Sequence, residues 1–237
     1  MERHALLFRV KPGTEDAVAA ILAAYRRPPT QIDADTRLLG TTVLMHGNFV
    51  VRTMEIEGGL PKVVAHLARR PEIQAAEREL NPYLELPRDL GDPQAARAFF
   101  QRSAMRLVIH RGPPALPPGL PATRHALLYP LRPGSGEEAE AVFVGGGDPP
   151  HQAGATRLLR TTVFRHADTA VRLFDIVGDL DEAIDHLVRA TALQQAGRGL
   201  ASYLADGIDI SDEAGLRRFF ADQLMTVVTD RRAAQAA

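Results

Sequence analysis

Apolar and polar positions fall along this chain in short patterned runs, each closed by a turn signal. His4 to Val10 is a strand-length apolar run stopped by Lys11-Pro12-Gly13. Thr14-Glu15-Asp16 then reads as a helix start, with Ala17, Val18, Ile21 and Leu22 recurring at helical spacing. Arg37 to Met45 and Phe49 to Ile56 predict two strands joined at His46-Gly47-Asn48 as a hairpin. Leu60, Val63, Val64 and Leu67 mark a helix that breaks at Pro71, and a second helical piece runs to Leu80. Asp92 is placed to cap a helix carrying Phe99 and Phe100, and Ala104 to His110 reads as a closing strand. The predicted order is β-α-β-β-α-(α)-β.

The same pattern comes twice. Arg3-His4-Ala5-Leu6-Leu7 returns as Arg124-His125-Ala126-Leu127-Leu128. Thr36-Arg37-Leu38-Leu39 with Thr41-Thr42-Val43 returns as Thr156-Arg157-Leu158-Leu159 with Thr161-Thr162-Val163. At an offset of about 120 residues, His46 pairs with His166, Arg52 with Arg172, and His66-Leu67 with His186-Leu187. Tyr83-Leu84 and Phe99-Phe100 likewise match Tyr203-Leu204 and Phe219-Phe220. A period of domain length gives two homologous domains, 1–112 and 123–232, joined by the Pro-rich linker 113–122 and followed by a tail, 233–237.

Each repeat follows the ferredoxin-like βαββαβ plan, an antiparallel sheet with helices on one face, so the class is α+β. Leu38, Leu39, Val43 and Leu44, and Val50, Val51 and Met54, make both alternations of their strands apolar. That pattern predicts that both sheet faces are covered, the two sheets packing face to face as an α+β barrel within one chain. Polar residues shared by both repeats on such strands would then line an enclosed cavity.

Composition narrows the chemistry. The 237 residues are 45% apolar with a net charge of −1, which excludes disorder and leaves no basic field for nucleic acid or an anionic membrane. No cysteine is present, so thiol catalysis, disulfides and cysteine-held zinc are excluded. No long apolar run and no signal-peptide pattern stand out, and a cytoplasmic location is expected. Gly145-Gly146-Gly147-Asp148 lacks the Lys-Ser/Thr of a phosphate loop, and neither a dinucleotide fingerprint nor a Gly-x-Ser-x-Gly elbow occurs.

The polar residues kept in both repeats are the candidates for function. His46 and His166, at the end of the second strand of each repeat, suit a general base or a turn histidine. Arg52 and Arg172 lie mid-strand, where a buried guanidinium needs either a carboxylate partner or an anionic ligand such as a phenolate or enolate. Tyr83 and Tyr203 could donate to a ligand carbonyl or anchor a helix end. His66 and His186 sit on a helix and His4 and His125 open the first strand, each pair a candidate for substrate contact or for packing. A haem ligand among the helix histidines is a remote reading. No histidine pair has metal-ligand spacing, so no metal is expected.

Arg-His-Ala-Leu-Leu at a strand start, Thr-Arg-Leu-Leu-x-Thr-Thr-Val, and the later Tyr-Leu and Phe-Phe pairs resemble the SchA/CurD-like family over nearly the whole chain. The resemblance implies a tandem-domain protein of type II polyketide biosynthesis, similar to the dimeric α+β barrel group that includes cofactor-independent monooxygenases and aromatic polyketide cyclases. It implies ring hydroxylation or quinone formation on a polycyclic aromatic polyketide, with O₂ as co-substrate and no bound cofactor. Other polyketide synthase enzymes are implied as candidate partners, with the chain acting as a monomeric pseudo-dimer or a homodimer. An aromatic polyketide cyclase and a non-catalytic polyketide-binding protein are the alternatives. One departure stands out: anthrone-oxidising barrel enzymes often use a pocket tryptophan, and this chain has none, so that role does not carry over.

Overall fold

The computed structural model describes residues 1–25, 29–117, 119–146 and 152–232. Residues 26–28, 118, 147–151 and 233–237 therefore lie outside the described residues. The first repeat contains β1 (Glu2–Arg9), α1 (Glu15–Ala24), β2 (Arg37–His46), β3 (Phe49–Glu57), α2 (Leu60–Ala68), α3 (Pro71–Leu80), α4 (Pro93–Ser103) and β4 (Ala104–Arg111). The second contains β5 (Thr123–Pro130), α5 (Gly136–Gly145), the short β6 (Gln152–Ala153), β7 (Thr156–His166), β8 (Thr169–Val177), α6 (Leu180–Leu187), α7 (Thr191–Ala201), α8 (Glu213–Gln223) and β9 (Thr226–Arg232). The class is α+β in two tandem repeats, as the pattern predicts. No described helix is long and apolar enough to cross a membrane.

Local chemistry accounts for most element ends. Pro71 stands at the first turn of α3, where its missing N–H costs no bond. The Asp92 carboxylate accepts from the backbone N–H groups of Gln94 and Ala95 and caps α4. Thr14 behaves differently from the expected cap. It holds the cap position of α1, but its hydroxyl donates to the Lys11 carbonyl at 2.7 Å and closes the preceding turn instead. Ser135 repeats this with Arg132 at 2.8 Å.

The hairpins share one device with one flaw. β2 and β3 join through Gly47 at φ 50°, and β7 and β8 through Ala167 at φ 46°. Left-handed backbone suits glycine and strains alanine by roughly 1 kcal/mol. Ala167→Gly is therefore expected to raise stability by about 0.5–1 kcal/mol, read from the denaturation midpoint.

The compact units and the sequence repeats end at different places. One unit comprises Met1–Met105 with the segment from Thr226 onward, and the other comprises Arg106–Met225. In the first, the antiparallel order is β1-β3-β2-β9, with Thr41 opposite Arg231. In the second it is β5-β8-β7-β4, with His110 opposite Thr162. The last strand of each repeat thus completes the sheet of the unit that holds the other repeat's hairpin. The apolar run Ala104–His110 marks a strand, but it carries no information on which edge that strand joins.

Both faces of the strands are buried. On β3, Val50, Met54 and Ile56 occupy one face and Val51 and Thr53 the other, all at most 5% exposed. Phe8 and Phe99 pack with Met54 and Ile56 on the helix side of the first sheet. Tyr129, Phe143 and Phe219 do the same work in the second.

Candidate functional site

Each repeat holds a partly open apolar cavity between its sheet and its helices, and an arginine from the second strand of the hairpin lines it. Arg52 on β3 lines a cavity of about 70 Å³ in the first repeat. Arg172, its counterpart on β8, lines a cavity of about 50 Å³ in the second. The strand period fixes this placement. Val50, Arg52 and Met54 point to the helix side, so a charged group falls inside an otherwise apolar row.

Neither arginine forms an ion pair among the described residues. Arg52 lies over the Tyr25 ring at 5.3 Å. Arg172 lies 5.5 Å from the Phe143 ring and 6.0 Å from the Tyr129 ring, and its buried Nε has no hydrogen-bond partner. Of the two readings open for these residues, cavity placement rather than carboxylate pairing is what the geometry has.

The two cavities differ around that shared group. In the first, Glu77 of α3 takes both Nε (2.7 Å) and Nη2 (3.0 Å) of Arg88, and both residues line the cavity. The Arg88 side chain is 4% exposed and lies against Phe8 at 4.5 Å and Phe99 at 4.2 Å. In the second repeat Gly197 and Ile208 stand at the matching positions. A side chain at 197 would collide with the Ile210 carbonyl oxygen, so α7 lies too close to its neighbour to carry an acid there. Thr156, Thr161 and Tyr129 supply the polar atoms of that cavity instead.

Two tyrosines complete the walls. Burial pushes the Tyr25 hydroxyl above its ordinary pKa, with the Arg52 charge working against the shift and Glu77 adding to it. Burial does the same for Tyr129, opposed by Arg172. Both phenols are therefore neutral hydrogen-bond donors at physiological pH.

The other candidate residues lie elsewhere. His46 and His166 end β2 and β7 beside the hairpin loops, half-buried, and neither is among the lining residues. His66 lies on α2 with a buried Nε2 that has no partner, although its neighbours Val64 and Leu67 reach the first cavity. His186 lines an open, acidic surface groove with Asp181, Glu182 and Asp185. His4 bonds Glu2 at 3.0 Å. His125 bonds Thr123 at 3.0 Å and stacks on Phe174, and burial holds its pKa below the ordinary value. Tyr83 and Tyr203 pack on the cores, and their carbonyls accept from Lys11 and Arg132 at 2.8 Å. Among the described residues no group of three or more His, Asp or Glu could hold a metal ion.

Sequence reasoning missed Tyr25, Glu77, Arg88 and Tyr129. Comparing the repeats selects what they share, and these four are what they do not share: Tyr129 stands opposite Phe8, and Glu77 and Arg88 opposite Gly197 and Ile208. An arginine and a glutamate present in one repeat only were the available signal.

With this geometry in view, the chain can be compared with known proteins. The sequence profile of the SchA/CurD like domain matches residues 1–112 and again 122–233. A Streptomyces cyaneus protein described as polyketide synthase CurD is 44% identical over 98% of this chain and 64% of its own length. A Streptomyces coelicolor protein described as a 42.8 kDa protein in the whiE locus is 42% identical over 98% of this chain and 59% of its own. The chain thus spans about three fifths of the length of these relatives. Among solved structures, a Fusobacterium nucleatum protein titled "putative monooxygenase" superposes with a TM-score of 0.54 at 10% identity, over 98% of this chain and 94% of that one. That likeness speaks to the fold.

Proposed function

The chain belongs to the SchA/CurD-like family, and from that premise we propose that it is a cofactor-independent monooxygenase acting on a polycyclic aromatic polyketide intermediate. The observation that carries the proposal is the arginine without a carboxylate partner, at the same position of both repeats, lining an apolar cavity. A half-buried guanidinium on an apolar wall, with no carboxylate bound to it, offers charge-assisted hydrogen bonds to an anionic oxygen. A phenol or anthrone that enters supplies one on ionising. Polyketide chemistry comes from the relative described as a polyketide synthase.

The guanidinium binds the phenolate or enolate more tightly than the neutral ligand, so it lowers the ligand's pKa and favours loss of the proton to solvent. The resulting carbanion-like centre is electron-rich and passes one electron to O₂. Recombination of the radical pair gives a hydroperoxide, which loses water. Anthrone plus O₂ becomes quinone plus water, and the atoms balance without an external reductant. The protein contributes charge stabilisation, orientation and a dry wall. His46 and His166 lie outside the residues that line either cavity, so this reading gives the proton to solvent rather than to them.

The cavities are smaller than the roughly 300–1,000 Å³ usual for drug-sized ligands. A polycyclic ligand therefore enters by moving the helices away from the sheet. Turnover of an anthrone-type substrate in air and under strict anaerobiosis tests the function. Quinone is expected only in air, at one O₂ per product. Ring closure that proceeds anaerobically would replace the proposal with a cyclase, and binding without turnover would replace it with a carrier protein.

A further inference from the structure

The first cavity holds a donor that the shared chemistry does not use. Arg88 is anchored by two hydrogen bonds to Glu77 and packed against the rings of Phe8 and Phe99, which holds its guanidinium in place. Its third nitrogen, Nη1, is buried and has no hydrogen-bond partner, on a side chain only 4% exposed that lines the cavity. A buried charged donor left unmade is expensive, and a fixed one is a binding group waiting for an acceptor.

The charge on the wall identifies the acceptor. Arg52 and Arg88 face one acid, Glu77, which leaves one net positive charge in an otherwise apolar cavity. Donors come from two separate guanidinium groups, which suits an anion with two oxygens on a flat apolar body. The second cavity has one arginine and no fixed guanidinium, because Gly197 excludes the anchoring acid.

We propose that the first repeat's cavity is a binding site for aromatic carboxylates, recognised through the Nη1 of Arg88, and that the second repeat's cavity is not. The repeats then divide their labour, one taking the acidic ring of a ligand and the other a phenolic one. This rests on the reading of the cavities as ligand sites, and it is independent of the oxygen chemistry.

Titration calorimetry of the whole chain with 2-hydroxybenzoate, a single ring close to the cavity's scale, tests it. One equivalent is expected to bind. Arg88→Met is expected to weaken binding about tenfold or more, as loss of a charge-assisted bond does. Because Arg88→Met leaves Glu77 unpaired, the neutral double variant Glu77→Gln/Arg88→Met is measured beside it, with circular dichroism as the check on folding. The double variant is expected to lose binding equally. Wild-type affinity in a folded double variant, two equivalent sites, or no binding by the wild-type chain would each overturn the inference. Binding lost in Arg172→Met and kept in the Arg88 variants would also overturn it while leaving the proposed function standing. Carboxylate binding with no oxygen-dependent turnover would overturn the function alone.

Discussion

Asp175→Asn is expected to destabilise the protein by about 3–5 kcal/mol, the cost of breaking a buried ion pair from one side. The Asp175 carboxylate takes Nε and Nη2 of Arg124 at 2.9 and 3.0 Å and the Nε of Arg160 as well. The three side chains are 3%, 5% and 4% exposed. One acid thus pairs with two buried guanidinium groups, too deep for water to take its place. Asparagine keeps the shape but removes the charge and turns an N–H donor toward the arginines. For a chain of this length the loss corresponds to a midpoint lower by about 10 °C or more. Asp185→Asn makes the control. Its partner Arg217 also holds Glu213, and both Asp185 and Arg217 lie at the surface, where solvent screens the pair. Thermal unfolding is expected to move strongly for Asp175→Asn and very little for Asp185→Asn.

Arg172→Met is expected to separate activity from stability in the opposite sense. The buried Nε of Arg172 has no partner and no carboxylate neutralises the group, so removing it relieves an unmet desolvation cost. Methionine keeps the apolar stem against Phe143 and Tyr129. The unfolding midpoint is expected to hold or rise, while turnover measured in an Arg52→Met background, where only the second cavity keeps its arginine, falls by about 10²–10³-fold, the usual effect of deleting one anion-stabilising donor. A purely structural arginine would behave in reverse, losing stability and leaving the rate of folded protein intact. Arg172→Lys adds a check. It keeps the charge but not the planar fork, and is expected to recover only part of the rate.

How far the sequence could be read differs by level. The repeat, the hairpins and the helix breaks at Pro71 and Asp92 follow from local rules, and local rules are legible one chain at a time. The partner of the last strand in each repeat is not. Ala104–Arg111 and Thr226–Arg232 are strand-length runs rich in apolar and β-branched residues, yet nothing in them says that β2 receives β9 and β7 receives β4. Edge choice is a long-range pairing, and no local periodicity encodes that. At the site, Arg52 and Arg172 were legible because a charge inside an apolar strand violates the pattern in both repeats. The cavity's location was less so. Each arginine lines a cavity on the helix side of its own sheet, because the alternation that buries Val50 and Met54 there carries Arg52 with them. Glu77 and Arg88 lie eleven residues apart across a loop and meet only through the fold.

The most direct test of the function is mass spectrometry of the product formed under ¹⁸O₂ by metal-stripped, flavin-free protein with an anthrone-type substrate. One heavy oxygen in the quinone and one in the water released is the expected result, with the label lost together with turnover in the double variant Arg52→Met/Arg172→Met. An unlabelled product formed equally well without oxygen would contradict it.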